Sequence, residues 1–193
     1  MNTFMNWLAD SFVPKSNKIL SKPWISALGS TMQKVIPFIL TGSVIFLYNV
    51  LVSFFPSLPD LGPISDFSFG IISLIVAFTI ANQCMEKLGH PSYMINAGIA
   101  SIGVFLMVAI PIGEDADSIS ALMNHVSASG IAVAMITGLF TSIIFHLWAK
   151  LQFLKDSSIP DFVSSWINTV VPTLISLGVI MIMVKLMEVN VYA

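Results

Sequence analysis

Five long apolar stretches alternate with short polar segments along the chain. They cover about residues 35–55, 67–84, 93–111, 130–148 and 169–187. Each is close to the roughly 20 residues that an α-helix needs to cross the hydrocarbon core of a bilayer. The pattern therefore predicts an all-α integral membrane protein with about five transmembrane helices, which form a single transmembrane domain over residues 1–193.

The first 22 residues have a different pattern, because their apolar positions follow a helical period without forming a continuous run. The apolar residues are Met1, Phe4, Met5, Leu8 and Phe12. Such spacing predicts an N-terminal amphipathic helix that lies in the membrane interface. The lysines that follow would meet anionic lipid headgroups, and each such contact contributes about 1 kcal/mol.

The basic residues are distributed unevenly between the two sides of the membrane. All eight are lysines, and seven of them fall in the N-terminal segment and in alternate loops. These seven are Lys15, Lys18, Lys22, Lys34, Lys87, Lys150 and Lys155. Lysine and arginine bias in short loops sets the orientation of membrane proteins. We therefore expect a multi-pass protein whose N-terminus is cytoplasmic, and five spans would place the C-terminus on the opposite side.

Composition excludes several classes of protein. Hydrophobic residues make up 56% of the chain and charged residues 9%, against roughly 45–50% and 25% in soluble domains. The lysines lie along one membrane face rather than in a cluster, which argues against nucleic acid as a partner. The single cysteine, Cys84, excludes a disulfide framework and a cysteine-based metal site.

No catalytic or cofactor-binding constellation is visible in the sequence. The three histidines, His90, His125 and His146, are expected on different sides or at different depths of the membrane, which predicts no metal site. The chain also has no glycine-rich phosphate loop. We therefore predict no cofactor, and no enzymatic activity for this chain on its own.

The fourth span carries a stripe of small residues at every fourth position. Its members are Gly130, Ala134, Gly138 and Ser142. Small residues at this spacing let a neighbouring helix backbone come close, which is a main route to helix association in lipid. The stripe predicts either packing against another span of the same chain or contact with a second protomer.

Polar residues in or near the spans are candidates for substrate contact. His146 lies in the last turns of the fourth span, and Asn82 and Gln83 lie near the end of the second. Ionisable and polar groups inside a membrane often mark a pathway. The alternative is structural, because amides commonly form hydrogen bonds between helices and a histidine suits a helix C-terminus.

Three segments resemble a known family of membrane proteins. They are ALGSTMQKVIPFILTGS at 27–43, LKDSSIPDFV at 154–163 followed by Trp166 and Val171-Pro172, and, more loosely, FTIANQ at 78–83 with Asn96-Ala-Gly98. Together they resemble the membrane-embedded IIC component, or permease, of the lactose/cellobiose family. That family belongs to the phosphoenolpyruvate-dependent sugar phosphotransferase system. The resemblance covers the whole chain, but only the N-terminal half of the family.

The resemblance implies a location in the bacterial plasma membrane and a part in the transport of disaccharides or oligosaccharides. In the family, the N-terminal spans mainly form the dimer contact and scaffold, and the sugar pocket lies in the C-terminal half. We therefore carry over no sugar ligand to this chain. The resulting hypothesis is a half-length IIC-like protein that forms a homo-oligomer, such as a dimer, and works with a IIB phosphocarrier or a second IIC-like chain.

Two other functions remain open at this point. The chain could be a stand-alone small transporter or channel that works as a homo-oligomer, with His146, Asn82 and Gln83 along its pathway. It could also be a non-transporting membrane adaptor that binds full-length IIC permeases and modulates them.

Overall fold

Helices account for nearly all of the chain that the structure describes. The computed structural model describes residues 12–55, 57–109, 117–151 and 160–186, and these ranges contain no strand. The α-helices are α1 (Val13–Leu20), α2 (Pro23–Phe54), α3 (Gly62–Ser68), α4 (Ile72–Lys87), α5 (Met94–Ala109), α6 (Asp117–Val126), α7 (Ile131–Leu151) and α8 (Asp161–Leu186). Short 3-10 turns at Phe69–Ile71, Pro91–Tyr93 and Ala128–Gly130 precede α4, α5 and α7.

Five helical stretches in these ranges are long and apolar enough to cross a membrane. They are Pro23–Phe54, Gly62–Lys87, Pro91–Ala109, Ala128–Leu151 and Phe162–Val184. The prediction of an all-α membrane protein with about five transmembrane helices is therefore confirmed. The second stretch joins α3, a 3-10 turn and α4 into one run.

The first of these helices begins well before the apolar run that predicted it. α2 begins at Pro23. A proline in the first turn of a helix removes no helical hydrogen bond. The added turns stay helical because Ala27 and Thr31 are fully buried in the bundle. Tertiary packing thus extends the helix beyond residue 35, the start that hydropathy alone predicts.

The predicted N-terminal interfacial helix lies only partly within the described residues. Residues 1–11 are outside them, and α1 covers Val13–Leu20. α1 has no buried residue. Its apolar side chains, among them Val13, Ile19 and Leu20, are about half exposed. An exposed apolar stripe beside lysines is the pattern of a helix that lies on a lipid surface.

α4 occupies the centre of the bundle. It packs against α2, α5 and α7, and α8 packs on α5 and α7 from the other side. Burial separates inner from outer helices, because 35–44% of the apolar window is buried in the three stretches from Gly62 to Leu151, against 11% for Pro23–Phe54 and 17% for Phe162–Val184. α2 and α8 therefore present most of the outer apolar surface.

Glycines bring α5 and α7 close to α4. A methyl group at Gly138 of α7 would overlap the side chain of Ile80 and lie 3.1 Å from the carbonyl oxygen of Ala77. A methyl group at Gly98 of α5 would lie 2.6 Å from the ring of Phe78. At the same level, Ser101 of α5 donates a hydrogen bond of 2.8 Å to the Ala77 carbonyl oxygen. The backbones can approach this closely only because both positions lack a side chain.

The small-residue stripe of the fourth span faces the interior of this chain. Gly130, Ala134, Gly138 and Ser142 are all buried, and the contacts of Gly138 are with α4. The sequence left open whether these positions pack against another span of the same chain or against a second protomer. In the structure they pack within the chain.

Substitution of Gly138 with alanine tests this packing, with Gly178→Ala as the matched control. Both glycines lie inside membrane helices, so both changes bring the same gain of up to about 1 kcal/mol in helix propensity. Nothing lies within 4 Å of the position where a Cβ would sit at Gly178. We expect Gly138→Ala to lower the free energy of unfolding by about 1–3 kcal/mol through overpacking, and Gly178→Ala to leave it unchanged or raise it.

The measurement is reversible unfolding in mixed micelles, followed by circular dichroism. Equal stability of the two variants would contradict the close approach of α4 and α7.

Candidate functional site

Several helix ends that carry lysines meet at one end of the bundle. A single buried cluster joins the start of α2 through Ala27, the end of α4 through Cys84 and Met85, the start of α5 through Ala97, and α7 through Phe145. We call this the lysine end, because Lys22, Lys87 and Lys150 flank these helix termini. The candidate polar residues of the sequence lie here.

A glycine turn at the end of α4 sets the position of His90. Gly89 has a φ of 79°, in the left-handed region that favours glycine. The His90 amide donates to the Met85 carbonyl oxygen at 2.9 Å, and the Gly89 amide donates to the Glu86 carbonyl oxygen at 3.2 Å. This pair of bonds is a Schellman motif, which ends the helix and fixes the direction of the next residue.

The turn brings His90 against His146 of α7. His90 Nε2 and His146 Nδ1 are 2.9 Å apart, and the ring centroids are 5.0 Å apart. Both rings are half-buried. The edges of two further rings enclose the pair, since Trp24 meets His146 and Tyr93 meets His90. A neutral imidazole has one donor and one acceptor nitrogen, so the two rings can share a single proton between them.

The prediction that the three histidines lie on different sides or at different depths is wrong for this pair. His90 and His146 are 56 residues apart in sequence and meet because α7 packs parallel to α4, so that the two helices end at the same level. His125 lies elsewhere, and its Nδ1 is 2.9 Å from the carbonyl oxygen of Ala109. No group of three or more histidine, cysteine, aspartate or glutamate side chains converges within the described part of the chain.

Gln83 forms a second polar cluster near the end of α4. Its side chain is buried, and Nε2 donates to Glu86 Oε2 at 2.7 Å. The same carboxylate oxygen lies 3.9 Å from Lys34 Nζ. Asn82 is half-buried beside Gln83, at a long hydrogen-bonding distance of 3.4 Å. The amide of Gln83 thus holds a carboxylate that also faces a lysine.

The three candidate residues of the sequence therefore lie in two separate contacts. Asn82 and Gln83 belong to the carboxylate cluster, and His146 belongs to the histidine pair. Among the described residues, no hydrogen bond joins His146 to either amide.

A polar cavity of about 330 Å³ opens between α5 and α8 at the lysine end. It is lined by Ser92, Tyr93, Asn96, Ser164, Ser165, Asn168 and Thr169. Two hydrogen bonds shape its wall: Asn96 Nδ2 donates to Thr169 Oγ1 at 2.9 Å, and Trp148 Nε1 donates to Asn168 Oδ1 at 3.3 Å. Hydroxyl and amide groups of this kind can bind neutral polar ligands. None of the lining residues is a carboxylate or an imidazole that could take a proton from a sugar hydroxyl.

Sequence reasoning missed this cavity, although a signal was present. Residues 164, 165, 168 and 169 are all polar and share one face at the start of α8, because residues four apart lie on the same side of a helix. A polar stripe at the start of an apolar helix indicates a surface that faces protein or water rather than lipid.

Comparison with known proteins gives one informative relative. No family model matches the chain, and no solved structure matches it. The chain is 25% identical over 194 residues to a Bacillus subtilis (strain 168) protein named "Putative permease IIC component YwbA". The chain is similar to a IIC permease. This match confirms the resemblance seen in the sequence motifs.

The match covers 89% of this chain but 43% of the relative, so the chain spans less than half the length of the curated protein that it matches. Similarity to a permease, together with five helices of membrane-spanning length, indicates a multi-pass membrane protein related to a transport component.

Exchange of the amide and the carboxylate between positions 83 and 86 tests the contact between Gln83 and Glu86. Gln83→Glu replaces the donor with a second carboxylate at a buried position, and an unsatisfied buried group costs about 1–3 kcal/mol. We expect Gln83→Glu to lower the free energy of unfolding by an amount in that range. Adding Glu86→Gln restores one donor and one acceptor, so the double variant should recover most of the loss.

The free energies of the two single variants and the double variant form a thermodynamic cycle that isolates the interaction. Strict additivity of the two changes would show that these side chains do not interact.

Proposed function

We propose that this chain is a IIC-like subunit of a sugar phosphotransferase permease, in which its 193 residues supply scaffold and oligomerisation surface for disaccharide or oligosaccharide transport. The observation that carries the proposal is the similarity to the permease IIC component over 89% of the chain. The five membrane-spanning helices and the family motifs at 27–43 and 154–163 support it.

The polar chemistry of the described residues fits a scaffold role better than a complete sugar site. Phosphorylation of a sugar needs a group that takes the hydroxyl proton, placed among polar groups that converge on the ring. The carboxylate of Glu86 is already held by Gln83 and faces Lys34. The cavity between α5 and α8 offers only neutral groups and the phenol of Tyr93.

The outer helices offer the surface for oligomerisation. α2 exposes Leu40, Val44 and Leu47, which recur at helical spacing. α8 exposes Val170, Leu174 and Ile182. Since the small-residue stripe of α7 is buried within the chain, a second protomer or a second IIC-like chain would pack on α2, on α8, or on both. Lipid covers whatever these contacts leave open.

We also propose that the lysine end faces the cytoplasm, as the positive-inside rule requires. Labelling of single cysteines in intact cells tests this orientation in a Cys84→Ala background. A membrane-impermeant maleimide should leave Ser21→Cys unlabelled until the cells are opened, and should label Ser57→Cys from outside. Both positions are exposed and lie at opposite ends of α2. The reverse labelling pattern would overturn the orientation.

The functional proposal is tested by extraction of the tagged chain from its native membranes in mild detergent, with mass spectrometry of the proteins that accompany it. We expect a second IIC-like chain or a soluble IIB phosphocarrier to co-purify. Recovery of this chain alone at a fixed stoichiometry, together with sugar flux in liposomes that contain only this protein, would overturn the proposal in favour of a stand-alone transporter. Co-purification of a full-length permease whose uptake rate is unaffected by deletion of this chain would also overturn it.

A further inference from the structure

The contact between His90 and His146 is a candidate ligand pair for a metal ion. Two imidazole nitrogens from distant parts of the chain lie 2.9 Å apart. We propose that His90 Nε2 and His146 Nδ1 form a two-nitrogen binding site for a transition-metal ion that favours square-planar or tetragonal coordination, such as Cu²⁺ or Ni²⁺. The proposal is independent of the role in sugar transport.

The distance between the two nitrogens favours this class of ion. Metal–imidazole bonds are about 2.0–2.1 Å long. Two adjacent ligands of a square-planar or octahedral ion subtend 90°, which places their nitrogens about 2.8–3.0 Å apart. Two ligands of a tetrahedral ion such as Zn²⁺ would be about 3.3–3.4 Å apart. The separation of 2.9 Å in the hydrogen-bonded pair lies within the range for the first arrangement.

The protons balance without a change in the charge of either ring. In the hydrogen-bonded pair, one of the facing nitrogens carries a proton. When the metal binds, that ring carries its proton on its other nitrogen, so both facing nitrogens present lone pairs and both imidazoles stay neutral. The rings need only rotate about χ2, a torsion that is broad in histidine, so that the lone pairs converge on one point.

The surroundings leave space for the rest of the coordination sphere. Both rings are only half-buried, so water can fill the remaining positions. The rings of Trp24 and Tyr93 lie edge-on to the histidine rings, at centroid distances of 6.1 Å from His146 and 6.4 Å from His90.

The local charge does not by itself attract a cation. Lys150 follows His146 by one turn of α7, and Glu86 is held by Gln83. Binding must therefore come from imidazole donors, which suit copper and nickel. Oxygen-seeking ions such as Mg²⁺ should not bind here.

A metal at this position would link the turn after α4 to the end of α7. His90 lies in the turn between α4 and α5, and His146 lies near the end of α7. A ligand that binds only the folded protein stabilises it in proportion to the logarithm of ligand concentration above its Kd. Metal binding should thus stabilise the lysine end.

The test uses the full chain, purified with an affinity tag that contains no histidine and titrated with Cu²⁺ in detergent. Electron paramagnetic resonance reports the number of coordinated nitrogens. The melting temperature reports whether metal binding stabilises the folded protein. The variants are His90→Gln and His146→Gln, which keep a polar side chain that can pair with the remaining ring. His125→Gln is the matched control, because His125 contacts the Ala109 carbonyl oxygen and lies apart from the pair.

We expect one Cu²⁺ per chain, a spectrum with two coupled nitrogens, and a melting temperature that rises with Cu²⁺ but not with Mg²⁺. Each variant of the pair should lose one coupled nitrogen and weaken the apparent Kd by at least about tenfold, as the loss of one of two strong donors implies. His125→Gln should behave as the wild type. Binding that survives in the double variant His90→Gln/His146→Gln, or the absence of a two-nitrogen species in the wild type, would overturn the proposal.

Discussion

The close approach of α4 to α5 and α7 is the contact on which the rest of the bundle depends. In lipid, apolar side chains gain little by leaving their surroundings, so helices associate through close packing and hydrogen bonds. Gly98 and Gly138 allow this packing on two sides of α4, and Ser101 adds a hydrogen bond to the backbone of α4. The same packing aligns the end of α4 with the end of α7, which brings the turn at Gly89 and His90 against His146.

This organisation bears on how the chain would work in a larger assembly. Its small residues are used within the bundle, and its apolar outer surface belongs mainly to α2 and α8. The lysine end carries three separate polar features: the histidine pair, the Gln83–Glu86–Lys34 cluster and the neutral cavity. The carboxylate of Glu86 is already held by Gln83 and faces Lys34, and the cavity is lined by neutral groups. That arrangement supports the proposed scaffold role.

Hydropathy predicted the number and class of the helices, because the length of an apolar run reflects bilayer thickness directly. It could not predict that α2 begins at Pro23, since those added turns depend on the burial of Ala27 and Thr31 against other helices. The contact of His90 with His146 was missed for a related reason. It depends on the relative depth of two helices, which the 56 intervening residues do not reveal. The polar cavity was within reach, because its α8 residues share one helical face.

A disulfide across α4 and α7 tests the central contact most directly. The Cβ of Ile80 lies 3.3 Å from the position of a Cβ at Gly138, close to the 3.5–4.5 Å of disulfides. In a Cys84→Ala background, Ile80→Cys/Gly138→Cys should form a disulfide within one molecule on mild oxidation in native membranes. The protein should then migrate as a monomer with neither thiol open to maleimide. A disulfide-linked dimer formed through Gly138→Cys would contradict the account, because the small-residue stripe would then face a second protomer.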